Sequence, residues 1–177
     1  MEYVQNFLSD QEAQALTAWC THSDILGWQK ETFSIYGRTV TAPRTAAWFG
    51  DDGLNYRYSG IDHATSGWPD QLVDLHSRVN ERAGCRFNFV LLNRYDDGSQ
   101  YMGWHRDDEV AAEPLIASLS LGGCRRFRYR TGPGTASTAI DLGAGSLLIF
   151  DGRLQHTLTR TARRVPVRIN LTFRLIH

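Results

Sequence analysis

His105 and Asp107 stand two residues apart in the segment His105-Arg106-Asp107-Asp108-Glu109, so on an extended chain their side chains leave on the same side. His156, far along the sequence, supplies the third side of a clamp. Two imidazoles and a carboxylate suit ferrous iron with coordination positions left open for reactants. Zinc accepts the same ligand types tetrahedrally but carries no redox chemistry, and the ligand types alone leave both metals open.

The last strand-like segment adds a second feature. Arg168, Asn170, Thr172 and Arg174 share one parity, while Val167, Ile169, Leu171, Phe173 and Leu175 share the other. A polar face with two guanidiniums, opposite a wholly apolar one, fits a cavity wall, and the fixed donor fork of arginine matches a carboxylate. A small dicarboxylic acid would chelate the metal at one end and meet an arginine at the other. Asn93 and Tyr95, also two apart, would add hydrogen bonds to it. The alternative is a solvated face paired with the acidic turn.

These residues need a framework. The chain has 177 residues, a single domain by size, and 19 basic side chains balance 19 acidic ones, so net charge argues for no class of partner. Arginines from Arg125 onward put the basic excess in the C-terminal third, so one face alone could hold a polyanion. Cys20, Cys85 and Cys124 are odd in number and widely spaced, which argues against a disulfide-stapled secreted domain and fits a reducing compartment. Residues Met1 to Gln5 carry no signal-like pattern, and no stretch approaches the roughly 20 apolar residues of a membrane span. A cytoplasmic monomer without membrane attachment is expected.

Ser9 and Glu12 have capping-box spacing ahead of a helix over Gln11 to Cys20, with an apolar stripe of Ala15, Leu16 and Trp19. A second helix is predicted from Pro69, placed in the first turn, to Ala83, with Leu72, Leu75, Val79 and Arg82 at helical steps before Gly84. Both are expected to lie against one sheet. After Cys85 the pattern is of strands: Phe87 to Tyr95, Leu115 to Leu121, the stretch around Phe127 and Tyr129, Ser146 to Phe150 and Val167 to Ile176. Short strands punctuated by glycine predict a mainly β sandwich or barrel with flanking helices, and repeated crossover helices of a parallel sheet are missing.

Taken together these residues resemble the AlkB family of iron(II)- and 2-oxoglutarate-dependent dioxygenases, and within it the branch that repairs alkylated DNA. The matching segments are Asn93 to Gly98, Trp104 to Glu109, Pro114 to Gly122, Arg126-Phe127, Gly145 to Leu148 with Gln155-His156, and Arg168 to Arg174. Pro43-Arg44, Phe49 to Asp51 and Gly53 to Gly60 resemble that branch's nucleotide-recognition segment more weakly. The resemblance implies a double-stranded β-helix, a jelly-roll barrel. Residues 1–177 would form one domain, with 1–86 as helical support and nucleotide-recognition region and 87–177 as catalytic barrel core.

It also implies that His105, Asp107 and His156 bind Fe(2+). Arg168 would pair with the far carboxylate of 2-oxoglutarate, with Asn93, Tyr95, Asn170 and Arg174 around it; parity does not divide the tasks of the two arginines. With dioxygen as the other cosubstrate, oxidation of an N-linked methyl group would release formaldehyde and succinate, restoring bases such as 1-methyladenine and 3-methylcytosine. The hard chemistry belongs to metal and cosubstrate, which agrees with a sequence that offers no Ser-His-Asp or paired-glutamate set.

A methylated base must leave its stack and be received by an aromatic plane. Tyr58 is the expected stacking partner, Tyr56 a nearby hydrogen-bonding group, and Glu109 the contact to the exocyclic amine, where a carboxylate favours a cationic lesion. Tyr36, in Ile35-Tyr36-Gly37, resembles a hairpin tip that pries at a duplex. Phosphate contacts are expected from arginines including Arg38, Arg44, Arg128, Arg130, Arg153, Arg160, Arg163 and Arg164. The short basic loop between His156 and Arg168 favours single-stranded or locally opened DNA, with RNA an alternative. A protein or small-molecule substrate, or a binding module with a degenerate metal site, are the rival readings. His22, His63, His76 and His177 are expected to be structural or solvent-facing, Trp19 and Trp28 core, and Trp48, Trp68 and Trp104 near the cleft.

Overall fold

Helix α1 (Asp10–His22) begins at a complete capping box: the Ser9 side chain accepts from the Glu12 amide, and the Glu12 carboxylate accepts from the Ser9 amide at 2.8 Å. Its inward stripe is Ala13, Leu16 and Cys20, whereas Ala15 is exposed, so the apolar face is rotated from the one expected. A single 3-10 turn, Asp24–Leu26, follows. Helix α2 (Asp70–Ala83) buries Leu72, Leu75 and Val79 and stops at Gly84, whose φ of 61° a side chain would resist. Pro69 is its N-cap rather than a first-turn residue, because its ψ of 147° is extended. Arg82 stays outside and pairs with Glu2.

The computed structural model describes residues 1–35, 38–58, 61–132 and 134–177. Its strands are β1 (Glu2–Val4), β2 (Thr32–Ile35), β3 (Arg38–Thr41), β4 (Thr45–Gly50), β5 (Asn55–Tyr58), β6 (Ile61–Ala64), β7 (Phe89–Tyr95), β8 (Met102–His105), β9 (Leu115–Gly122), β10 (Arg125–Arg130), β11 (Thr138–Leu142), β12 (Leu147–Asp151), β13 (Gln155–Leu158) and β14 (Arg168–Arg174). The major sheet runs β1-β12-β9-β14-β7-β4 and the minor sheet β11-β10-β13-β8, all pairs antiparallel. This is the expected jelly-roll. Hairpins β2-β3 and β5-β6 stand apart from both sheets. No helix among the described residues is long and apolar enough to cross a membrane.

Two of the hydrophobic cores follow from strand parity, and a third gathers Tyr56, Phe89 and Leu91. Ile169, Leu171 and Phe173 of β14, with Leu92 of β7 and Leu119 of β9, meet both helices on one face of the major sheet. On the other face Ile116, Leu148 and Phe150 meet Phe127 and Leu142 of the minor sheet and close the barrel. Trp68, expected near the cleft, instead stacks on His76 at 3.9 Å on the helix side, which fills the gap between α2 and Phe173. Arg125 is buried and donates to the carbonyls of Asp97, Gln100 and Thr159, pinning the loop after β7 beside β13.

Candidate metal and cosubstrate site

Strand pairing in the minor sheet brings the two histidines together. His105 ends β8 directly opposite His156 on β13, and their rings lie 4.2 Å apart. Just beyond β8, the Asp107 amide donates to the Gly152 carbonyl at 2.8 Å, anchoring the carboxylate to the turn after β12. His105 Nε2 is 3.6 Å from Asp107 Oδ1, His156 Nε2 is 3.7 Å from Asp107 Oδ2, and one ligand atom from each residue lies within 4.8 Å of the others.

Both rings are already oriented for a metal. Nδ1 of His105 faces the Gly103 carbonyl and Nδ1 of His156 faces the Leu154 carbonyl, each at 2.7 Å. A carbonyl only accepts, so Nδ1 donates and the Nε2 lone pair is left toward the cluster. Burial, reinforced by the neighbouring His105, pushes the His156 pKa down to about 4, so the ring is neutral and able to ligate near pH 7. Burial opposes the charge on Asp107, but Arg174, His156 and His105 together outweigh it and hold the carboxyl below its usual range. The set is thus two imidazoles around a carboxylate, open to solvent on the His105 side.

Asp107 leans on the opposite sheet. Arg174 of β14 donates to its Oδ2 at 2.6 Å and to Glu109 Oε2 at 3.3 Å. The even residues of β14 then run away from the metal ligands along one wall: Thr172, Asn170 and finally Arg168 line a cavity of about 70 Å3 with His105, Asp107 and His156. In the neighbouring strand Asn93 stands opposite Asn170 and Tyr95 opposite Arg168.

Arg168 is 2% exposed and meets no carboxylate among the described residues. One nitrogen donates to Ser120 Oγ at 3.0 Å, Tyr95 lies beneath the guanidinium at 5.7 Å, and Nε has no hydrogen-bond partner among the described residues. Burial pushes its pKa down to about 10. A buried cation with donors to spare is costly unless an anion arrives to share it.

A model described as the 2OG-Fe(II) oxygenase superfamily matches residues 1–174. The DNA oxidative demethylase ALKBH2 of Mus musculus is 38% identical over 156 residues, covering 80% of this chain and 65% of that protein. Its Homo sapiens counterpart is 36% identical, covering 80% and 60%. Alpha-ketoglutarate-dependent dioxygenase alkB homolog 3 of Homo sapiens is 33% identical over 166 residues, covering 85% and 57%. The chain belongs to the AlkB family of 2OG-Fe(II) oxygenases. It spans about 57 to 65% of the length of these relatives. Two solved structures share the fold: OsALKBH1, with a TM-score of 0.65, 19% identity and coverage of 98% and 96%, and an oxidoreductase of the 2OG-Fe(II) oxygenase family from Burkholderia pseudomallei, with 0.63, 16%, 97% and 82%.

An AlkB-family site must take iron(II) and 2-oxoglutarate, and the residues present fit both. His105, Asp107 and His156 are the donor set for the metal. Arg168 has an Nε donor to spare and no carboxylate beside it among the described residues, so it is the arginine suited to the cosubstrate's far carboxylate, whereas Arg174 is engaged beside the metal ligands. Asn93, Tyr95 and Asn170 line the wall between.

The substrate-side expectations fare differently. Tyr56 is 1% exposed and packs on Phe89 and His63 beneath hairpin β5-β6, away from the cavity wall, because its parity on β5 turns it into the core. Arg44 is buried, donates to Asn93 Oδ1 at 2.5 Å and lines the cavity, so it is no surface phosphate contact. Glu109 is half-buried beside Arg174, and burial outweighs that arginine to raise its pKa. Tyr36 lies outside the described residues, as does the side chain of Tyr58, whose backbone closes β5.

Gly152 is a functional position that the motifs do not announce. A Cβ there would sit 2.6 Å from the Asp107 carbonyl oxygen and 2.7 Å from Ile116 Cδ1. Gly152→Ala is expected to displace Asp107 and weaken Mn(II) binding by about tenfold to a hundredfold, as disturbed ligand support does elsewhere. Calorimetric titration with Mn(II) checks this, and unchanged affinity would show that the turn does not set the ligand. Ser118 and Ser120, which meet Asn170 and Arg168, are further positions outside the expected set, and their alternation inside a buried strand is the signal that marks them.

Proposed function

We propose that this protein removes methyl groups oxidatively from alkylated bases in DNA, of the 1-methyladenine and 3-methylcytosine kind. The observation that carries the reading is the pairing, in one cavity, of a His-Asp-His donor set with a buried arginine that has no carboxylate partner among the described residues. Relatives 31 to 38% identical bear the name DNA oxidative demethylase, which supports DNA as the substrate.

Bound there, iron(II) with 2-oxoglutarate and dioxygen supplies the oxidising power to hydroxylate an N-methyl carbon, with succinate and carbon dioxide as the other products. The resulting hemiaminal falls apart to formaldehyde and the free base, so the protein needs no general acid of its own. Its residues bind and orient. Arg168 neutralises the distal carboxylate, and Arg174 holds Asp107 so that its oxygens face the two imidazoles. Glu109 stands on the same segment as the metal ligands and offers a carboxylate to a cationic lesion. The loop between β13 and β14 brings only Arg160, Arg163 and Arg164, a short grip that favours single-stranded or locally opened DNA.

The test is Fe(II)-loaded protein given 2-oxoglutarate, oxygen and single- or double-stranded oligonucleotides with either lesion. Formaldehyde release with base restoration is expected, fastest on single strands; none on any oligonucleotide would sink the reading. Glu109→Ala is expected to lower turnover of methylated oligonucleotides about tenfold, the size of one lost charge-assisted contact. Uncoupled decarboxylation of 2-oxoglutarate should change little, and equal losses in both would reject a base-reading role.

A further inference from the structure

A buried polar chain runs from the cavity wall to hairpin β5-β6. Arg44 Nε donates to Asn93 Oδ1 at 2.5 Å, and Arg44 Nη2 lies 3.7 Å from Glu31 Oε2. The other oxygen of Glu31 meets His63 Nε2 at 2.8 Å, and His63 Nδ1 faces the Tyr56 carbonyl at 3.1 Å across the β5-β6 pair. The side chains of Glu31, Arg44 and His63 are all at least 96% buried, and the edge of Trp48 closes on His63 at 4.5 Å.

Taking a carboxylate, a guanidinium and an imidazole out of water is expensive, and an apolar trio would pack there at less cost. What this trio does is set an orientation. An asparagine amide has an oxygen and a nitrogen of nearly equal size, and the groups around it decide which way each points. Arg44 offers only donors, so it captures Oδ1 of Asn93 and leaves the NH2 group as the donor end of the amide. Asn93 lines the cavity on the strand next to β14. Arg44 can do this only if its own charge is matched, and Glu31 matches it across 3.7 Å, an ion pair without a hydrogen bond, while His63 holds Glu31 at 2.8 Å.

We propose that Glu31 and His63 are positioning residues for the cosubstrate: through Arg44 they fix the Asn93 amide with its nitrogen toward 2-oxoglutarate, and they tie that setting to hairpin β5-β6, whose first strand ends in Tyr58. The proposal rests on reading the cavity as the 2-oxoglutarate site. It makes the hairpin and the cosubstrate pocket one mechanical unit, so a shift of His63 would be felt at Asn93.

The test is anaerobic calorimetry on Mn(II)-loaded protein titrated with 2-oxoglutarate, with Mn(II) affinity measured separately. Glu31→Gln keeps the shape but removes the charge, and His63→Phe keeps a ring against Trp48 and Tyr56 but removes the polar contacts to Glu31 and to the Tyr56 carbonyl. Each is expected to weaken 2-oxoglutarate binding about tenfold while Mn(II) affinity stays within twofold. The double variant should be no worse than the poorer single one, because both cut the same chain. Asn93→Asp still accepts from Arg44 but has no N–H to give, and should reproduce the loss with Glu31 and His63 intact. Variants that bind 2-oxoglutarate within twofold of the parent would overturn the proposal, as would additive losses or a parallel fall in Mn(II) affinity. A parent protein that binds Mn(II) but no 2-oxoglutarate would overturn the cosubstrate reading itself.

Discussion

Asp107→Ala is expected to abolish turnover and to weaken Mn(II) or Fe(II) binding by more than about a hundredfold, beyond what loss of an outer contact does. The carboxylate is the one anionic ligand, placed between His105 and His156 with an oxygen toward each. Its removal has a second consequence in the metal-free protein. Arg174 is 3% exposed and donates to Asp107 at 2.6 Å, so the variant takes the closer carboxylate away from a buried guanidinium. Breaking such a pair costs about 3 kcal/mol at the low end, and Glu109 at 3.3 Å keeps it there. For a chain of this size that is a fall in Tm of about 6 to 12 °C. Asp107→Asn, which keeps an oxygen for Arg174, should retain most of the stability and still lose the metal. Calorimetry and thermal melts separate the two effects, and metal affinity retained in either variant would mean that the ligand assignment is wrong.

Arg168→Met is expected to raise the KM for 2-oxoglutarate about a hundredfold with little change in metal affinity. Its guanidinium is the one on the β14 wall without a carboxylate partner among the described residues. Deleting one side of a buried, hydrogen-bonded charge pair costs about 2 to 5 kcal/mol, and about 2.7 kcal/mol corresponds to a hundredfold. Without cosubstrate the variant should melt no lower than the parent, because methionine fills similar space and removes an unpaired charge. Steady-state kinetics against 2-oxoglutarate and a melt without ligand check both halves. An unchanged KM would move the distal carboxylate to another group, Arg44 being the nearest rival on the wall.

The β14 wall is legible in the sequence because parity is a local property. Alternation from Val167 to Leu175 needs only an extended backbone, and the observed strand keeps Ile169, Leu171 and Phe173 toward the helices and the even residues toward the cavity. The capping box at Ser9 and the stop at Gly84 are legible for the same reason, since both are contacts within a few residues. Strands β8, β11 and β13 are short or polar and carry no periodic signal, so no local pattern announces their pairing, which sets His105 opposite His156.

The residues that carry chemistry, their order along the chain and which of them share a parity on the β14 wall are thus determined by the sequence alone. Which of them meet is decided by the tertiary structure. Tyr56 goes to the core, Arg44 turns inward to Asn93, and Arg174 rather than Arg168 reaches Asp107. Glu31 and His63, 32 positions apart, become one buried pair. The physical reason is that burial and charge matching depend on neighbours from other strands. A buried cation such as Arg44 or Arg174 settles on whichever carboxylate or amide the packed sheets place beside it, and no local pattern contains that choice.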